Sequence, residues 1–166
     1  MIILGIDPGL NATGYGAITA QGRQLQLITA GEICPPKGQP LPQRLEFLHQ
    51  ALTELVKRQH PDTLVLEMVF THQRFPSTAA LMAHARGVAC LVAEQQRVAL
   101  VEYPPARVKK AVTGAGAAAK AQVARMVGNW IKGCDPRWSF DATDALALAI
   151  THAHMGSQRS LAGALK

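Results

Sequence analysis

Residues 2–6, "IILGI", form an apolar, largely β-branched run without polar alternation. That is the pattern of a central strand covered on both faces. The run ends on Asp7, with Pro8 and Gly9 directly behind it. "TGYGAITAQGRQLQLITAGEI" alternates loosely on either side of Gln21-Gly22 and predicts two strands joined by a hairpin turn. After the loop "CPPKGQPLP", leucines at 45, 48, 52 and 55 keep helical spacing, so residues 41–59 predict an amphipathic helix that Pro61 stops. "TLVLE" is a second short apolar strand ending on a carboxylate, Glu67. Ser77 reads as the N-cap of a helix running to about residue 96, and "VALVEY" as a strand closed by Pro104-Pro105. Two basic helices follow on either side of "TGAGA", and a last helix is expected over 141–154. Residues 155–166 are small and polar and are expected to form a flexible tail. Three early strands, then strands alternating with helices, imply one α/β domain over 1–154.

Charge changes this picture more than composition does. The 166 residues carry a formal charge of +6 and 48% hydrophobic residues, enough for a real core, and no apolar run is long enough to span a bilayer. The N-terminus lacks the basic leader of a signal peptide. Three cysteines without a C-x-x-C pair read as scattered thiols of a cytoplasmic protein. From Tyr103 to Arg137 the basic residues are Arg107, Lys109, Lys110, Lys120, Arg125, Lys132 and Arg137, against Asp135 alone. So one-sided a segment favours a polyanionic partner.

Four of the eleven acidic residues sit where solubility does not require them. Asp7 and Glu67 each end an apolar strand; on parallel neighbours both would emerge at the carboxyl edge of the sheet. In "FDATDALALAIT", Asp141 and Asp144 lie three apart and share one face of a helix. Each has a bland reading: Asp141 as a helix cap, Asp144 at the helix's positive end, Asp7 as the holder of a turn, Glu67 as half of a salt bridge. Together, four carboxylates in one place could not all stay ionised without bound cations. Hard oxygen ligands select magnesium or manganese, and two such ions roughly 4 Å apart are the usual device for in-line attack on a phosphodiester.

"ILGIDPGLNATGYG", "LVLEMVF", "ARGVA", "VKKAVTGAGAAAKAQV" and "DATDALALAITHAH", in that order and spacing, resemble the RuvC family of Holliday-junction resolvases. The resemblance runs from Met1 to about His154. It implies an RNase H-like fold, a mixed central sheet flanked by helices, a homodimer, and magnesium as cofactor, two ions per site with manganese as a substitute. It implies that Asp7 bridges the metals, Glu67 joins it, and Asp141 and Asp144 complete the site; some members carry His at the position of Asp141. The reaction implied is hydrolysis of DNA strands at a four-way junction to a 5′-phosphate and a 3′-hydroxyl, during recombination and repair. A branch-migration motor complex is the further partner implied.

Lys109 and Lys120 match two family lysines used at the DNA, and Lys110 stands beside the first. Lys120 in an Ala-rich first turn is poorly placed for the helix dipole, which favours a phosphate-binding role. Phe70 matches a family phenylalanine that stacks on junction bases, worth roughly 1–3 kcal/mol per base; the commoner fate of phenylalanine is the core. Arg74, on the same loop, is a candidate phosphate contact. His152 and His154, two apart on a helix, face different ways and are read as non-ligands.

"TAALMAHARGVACLVAEQQ" is apolar around most of its circumference, as a helix buried against a partner subunit would be. Two rivals remain at this point. An actin-like ATPase shares the "GIDPGLNATGYG" pattern but needs two lobes. A non-catalytic junction-binding module would keep the fold and the basic face but lack some of the carboxylates.

Overall fold

The computed structural model describes residues 1–68, 76–131 and 138–163. Five strands are described: β1 (Ile2–Asp7), β2 (Thr13–Gln21), β3 (Gln24–Ile33), β4 (Thr63–Glu67) and β5 (Ala99–Tyr103). They form one sheet in the order β3-β2-β1-β4-β5. β1 pairs antiparallel with β2 and parallel with β4, and β4 pairs parallel with β5. The β2–β3 turn falls on Gly22 and Arg23, where Gly22 takes φ +59°, a conformation open to glycine at little cost. The helices are α1 (Leu41–Gln59), α2 (Pro76–Gln95), α3 (Pro105–Thr113), α4 (Lys120–Trp130) and α5 (Phe140–Gly163).

The period of two along each strand sorts the core into two clusters. Leu4, Ile6, Leu64 and Leu66 point to one face, where Leu48, Leu52 and Leu55 of α1 and Ala85, Ala89 and Val92 of α2 cover them. Ile3, Ile18 and Val65 point to the other, beneath α3, α4 and α5. The molecule is therefore a three-layer α/β sandwich. β1 and β4 read as unbroken apolar runs because both of their faces are covered.

Asp7 continues the row Ile3–Gly5–Asp7, and Glu67 the row Thr63–Val65–Glu67, so both belong to the α5 side of the sheet. The helix lies unusually close there. A Cβ on Gly5 would sit 1.9 Å from the main-chain oxygen of Ala145, and one on Gly14 would sit 2.0 Å from that of Asp141. Glycine at these positions lets the first turns of α5 rest on the strand backbones.

Two boundaries differ from the sequence reading. α2 begins at Pro76, whose fixed φ suits a first helical turn, so Ser77 lies inside the helix rather than capping it. α5 continues past His154 to Gly163. A small, polar composition predicts a stop after His154, but neither Gly156 nor Ser157 is a strong enough breaker to end a helix already propagating.

Gly14→Ala should lower stability by about 1–3 kcal/mol, since a backbone carbonyl must move to admit the methyl group. Gly87→Ala, where a Cβ meets nothing within 4 Å, should leave stability unchanged or raise it. Chemical denaturation of both variants checks this; equal midpoints would contradict the close packing of α5.

Candidate active site

The strand register fixes the first two carboxylates. Ile6 pairs with Leu66, which brings Asp7 and Glu67 level at the carboxyl ends of adjacent parallel strands. The turn after Asp7 is held by Thr13, not by Asp7: the Thr13 hydroxyl donates to the Gly9 carbonyl (2.7 Å) and accepts from the Gly9 N–H (3.3 Å). From α1, Arg44 Nη2 donates to the Leu10 carbonyl (2.8 Å) and to Asn11 Oδ1 (2.9 Å), anchoring the same loop. The reading of Asp7 as the holder of this turn is therefore unnecessary.

α5 delivers the second pair. Ser139 Oγ accepts from the Ala142 N–H (3.2 Å), the hydrogen bond of an N-terminal cap, so Ser139 does the work that the bland reading gave to Asp141. Asp141 and Asp144 are left facing the sheet edge. Asp7, Glu67, Asp141 and Asp144 all line one open cavity of about 530 Å³, together with the loop 8–12, Leu81 and Met82 of α2, and Lys109 and Lys120.

Electrostatics records the crowding. Burial, then the charges of Asp144, Asp141 and Glu67, push the Asp7 carboxyl up from 3.8 to about 7, with Lys120 opposing. Glu67 is raised by burial and then by Asp144, against the pull of Lys120 and Lys109. Asp141 is raised by burial and then by Glu32. Glu32 was not singled out in the sequence; it pairs with Gly14, which pairs with Asp7, so it stands in the same lateral row two strands over.

Lys120 is the first residue of α4, which has no side-chain cap at this end. Its ammonium meets Asp144 Oδ2 at 3.0 Å, and that hydrogen bond raises its pKa. The awkward place of a cation at a helix N-terminus is thus balanced by a carboxylate from α5. Lys109 is half-buried in the cavity wall, whereas Lys110 is exposed and not among the lining residues. Phe70 and Arg74 lie outside the described residues.

His152 and His154 face away from the carboxylates. His152 Nδ1 meets the Tyr103 hydroxyl at 2.9 Å, and His154 packs edge-on against Trp130. Among the described residues, no three carboxylate, imidazole or thiol groups already converge on one point as a ligand set. The four carboxylates share a cavity, and Asp144 is turned towards Lys120. Their donors are all hard oxygens, crowded enough to hold a proton near neutrality, and that chemistry fits a divalent hard cation.

A mixed sheet in the order β3-β2-β1-β4-β5, with acidic side chains gathered at the ends of its two central strands, defines the RNase H-like class. Within that class, the sequence model described as "Crossover junction endodeoxyribonuclease RuvC" matches residues 3–152, and the chain belongs to this family. A relative of that name from Azorhizobium caulinodans is 43% identical over 152 residues, covering 92% of this chain and 89% of the relative. The structure "T. thermophilus RuvC in complex with Holliday junction substrate" superposes with a TM-score of 0.88 at 28% identity, covering 96% of both chains. A second Thermus thermophilus RuvC structure gives 0.82 at 32% identity, over 95% of this chain and 98% of that one.

The proton on Asp7 has a consequence for stability. The folded chain holds it up to about pH 7, whereas the unfolded chain releases it near 3.8. Stability therefore falls as pH rises from about 4 to about 7, and the deficit is complete above that. Metal-free Asp7→Asn should melt above the wild type at pH 8, by roughly 6–16 °C for a cost on the order of 3–4 kcal/mol. The gap should close at pH 4. Thermal melts at the two pH values decide it; an Asn variant no more stable than wild type at pH 8 would contradict the crowding.

Proposed function

We propose that this chain is a metal-dependent endonuclease that resolves Holliday junctions by paired, symmetric nicks during recombination and repair. The observation that carries the reading is the cavity itself. Four carboxylates, two of them with no other structural duty, crowd together beside two lysines in a chain of the RuvC family. Asp7, Glu67, Asp141 and Asp144 would hold two magnesium ions, with manganese able to substitute. Bound there, the ions supply activation of a water and neutralise charge at the leaving oxygen.

The chain's own residues do the rest. Asp7 and Glu67, fixed on neighbouring strand ends, set the floor of the site, and α5 brings Asp141 and Asp144 over it. Lys109 and Lys120 bring positive charge to an incoming phosphate, and Lys110 continues that charge outside the cavity. Lys120 is held at the cavity by Asp144 in the meantime. Phe70 would stack on a base exposed at the junction and Arg74 would contact phosphate, both from the residues that follow β4 in sequence.

The face of α2 away from the sheet supports a homodimer. Leu91 is 50% exposed, while Ala85, Ala89 and Val92 face inward. A second copy packed on that face would give the pair a twofold axis, matching the near-twofold symmetry of a four-way junction and presenting two cavities for two nicks. The product ends would be a 5′-phosphate and a 3′-hydroxyl. The site of action is the cytoplasm, beside a branch-migration motor.

A synthetic mobile four-way junction tests this. With magnesium or manganese the protein should give paired, ligatable nicks, lost in EDTA and in Asp7→Asn. Because a proton competes for Asp7, the metal concentration for half-maximal cleavage should rise about tenfold per unit as pH falls below about 7. Tight junction binding without cleavage under either metal would overturn the reading in favour of a binding module.

A further inference from the structure

The described part of α2 is almost entirely apolar on its inner side except for Arg86, whose side chain is only 17% exposed. A guanidinium so largely removed from water needs partners. Arg86 Nη1 donates to the main-chain carbonyl of Glu67 at 2.6 Å, and Nη2 donates to the carboxylate of Glu102 on β5. One side chain from α2 therefore joins two adjacent strands at the level of the active site, because Glu102 pairs with Leu66, the residue before Glu67.

The bond falls at the last residue of β4. β4 ends at Glu67, and the next residue, Met68, donates its N–H to the Tyr103 carbonyl at 2.9 Å. Glu67 is thus the last strand residue, and its carboxylate is the only one of the four borne on β4.

We propose that Arg86 is a positioning residue for the cleavage reaction: clamped to Glu102, it fixes the carbonyl of Glu67 and so the direction in which the Glu67 carboxylate enters the cavity. This rests on the function proposed above. Arg86 stands on the opposite face of the sheet from α5 and does not line the cavity, so it acts through Glu67 and not on the substrate. The planar fork of a guanidinium reaches two acceptors at once; an ammonium on a flexible stem cannot hold both in the same geometry. The partner matters for the same reason. Without Glu102, half of the fork is free to swing and the carbonyl loses a fixed donor.

The test uses Arg86→Lys and Glu102→Gln in the full chain, with folding checked by thermal melting. Three quantities are read: affinity for a four-way junction in EDTA, the single-turnover cleavage rate at saturating protein, and manganese affinity by calorimetry without DNA. Junction affinity should stay within about twofold of wild type. The cleavage rate should fall about 10- to 100-fold, the scale of a small misplacement of a catalytic group. Manganese affinity should weaken several-fold in both variants, with part of the lost rate recovered at higher manganese.

A folded variant with wild-type rate and manganese affinity would overturn the proposal. So would a rate that falls only in step with junction affinity, which would mark Arg86 as a structural tie. Should Arg86→Lys fail to fold, Glu102→Gln, which keeps the native arginine, carries the test. Absence of cleavage in the wild type would instead refute the proposed function, and the manganese affinities would then decide the role of Arg86 separately.

Discussion

Everything at the proposed active site depends on how closely α5 can approach the sheet. Its main-chain oxygens lie where the Cβ atoms of Gly5 and Gly14 would otherwise be. With any larger residue there the helix would ride higher, and Asp141 and Asp144 would stand away from Asp7 and Glu67. The same approach removes water from the strand ends, so the carboxylates repel one another through a poorly screened medium. The backbone contact therefore sets both the geometry and the electrostatics of the site.

That repulsion is an unfavourable feature retained in a folded protein, and the structure eases it in two ways. Asp7 keeps a proton to about pH 7. Lys120 offers its ammonium to Asp144, held there by the start of α4. Both responses leave the oxygens available to a stronger claimant, because a proton and a lysine are each displaceable by a divalent ion. The turn hydrogen bonds of Thr13, the anchoring of its loop by Arg44 and the cap at Ser139 serve the same end. They take over local structural duties that the carboxylates would otherwise perform.

Much of this was legible along the chain. The unalternating runs at 2–6 and 63–66 announce strands covered on both faces, and a carboxylate closing each run is a conspicuous break in pattern. The leucine spacing of α1 gave its bounds, and the 141/144 spacing placed two acids on one helical face. What escaped depends on distance in space and not on position in sequence. Glu32 looks like one exposed acid on an alternating strand, and only the register through Gly14 reveals it beside Asp141. Arg86 is the one arginine or lysine of α2 and Glu102 the one charge of β5, a sign that each needs a partner, but nothing local says that they meet. The extension of α5 past 154 was missed because composition describes what a segment lacks, not what a helix already formed can carry forward. Phe70 and Arg74 fall within residues 69–75, outside the described residues, so their roles rest on the family resemblance.

The central claim is that the crowded carboxylates are a cation site and not a set of independent structural acids. Anomalous diffraction from crystals of the wild-type protein grown with manganese at pH 8 tests it most directly. The account predicts manganese peaks within the cavity, ligated by Asp7 and Glu67 with Asp141 and Asp144, and Asp144 turned away from Lys120. A cavity without manganese, with Asp144 still paired to Lys120 at saturating metal, would contradict it.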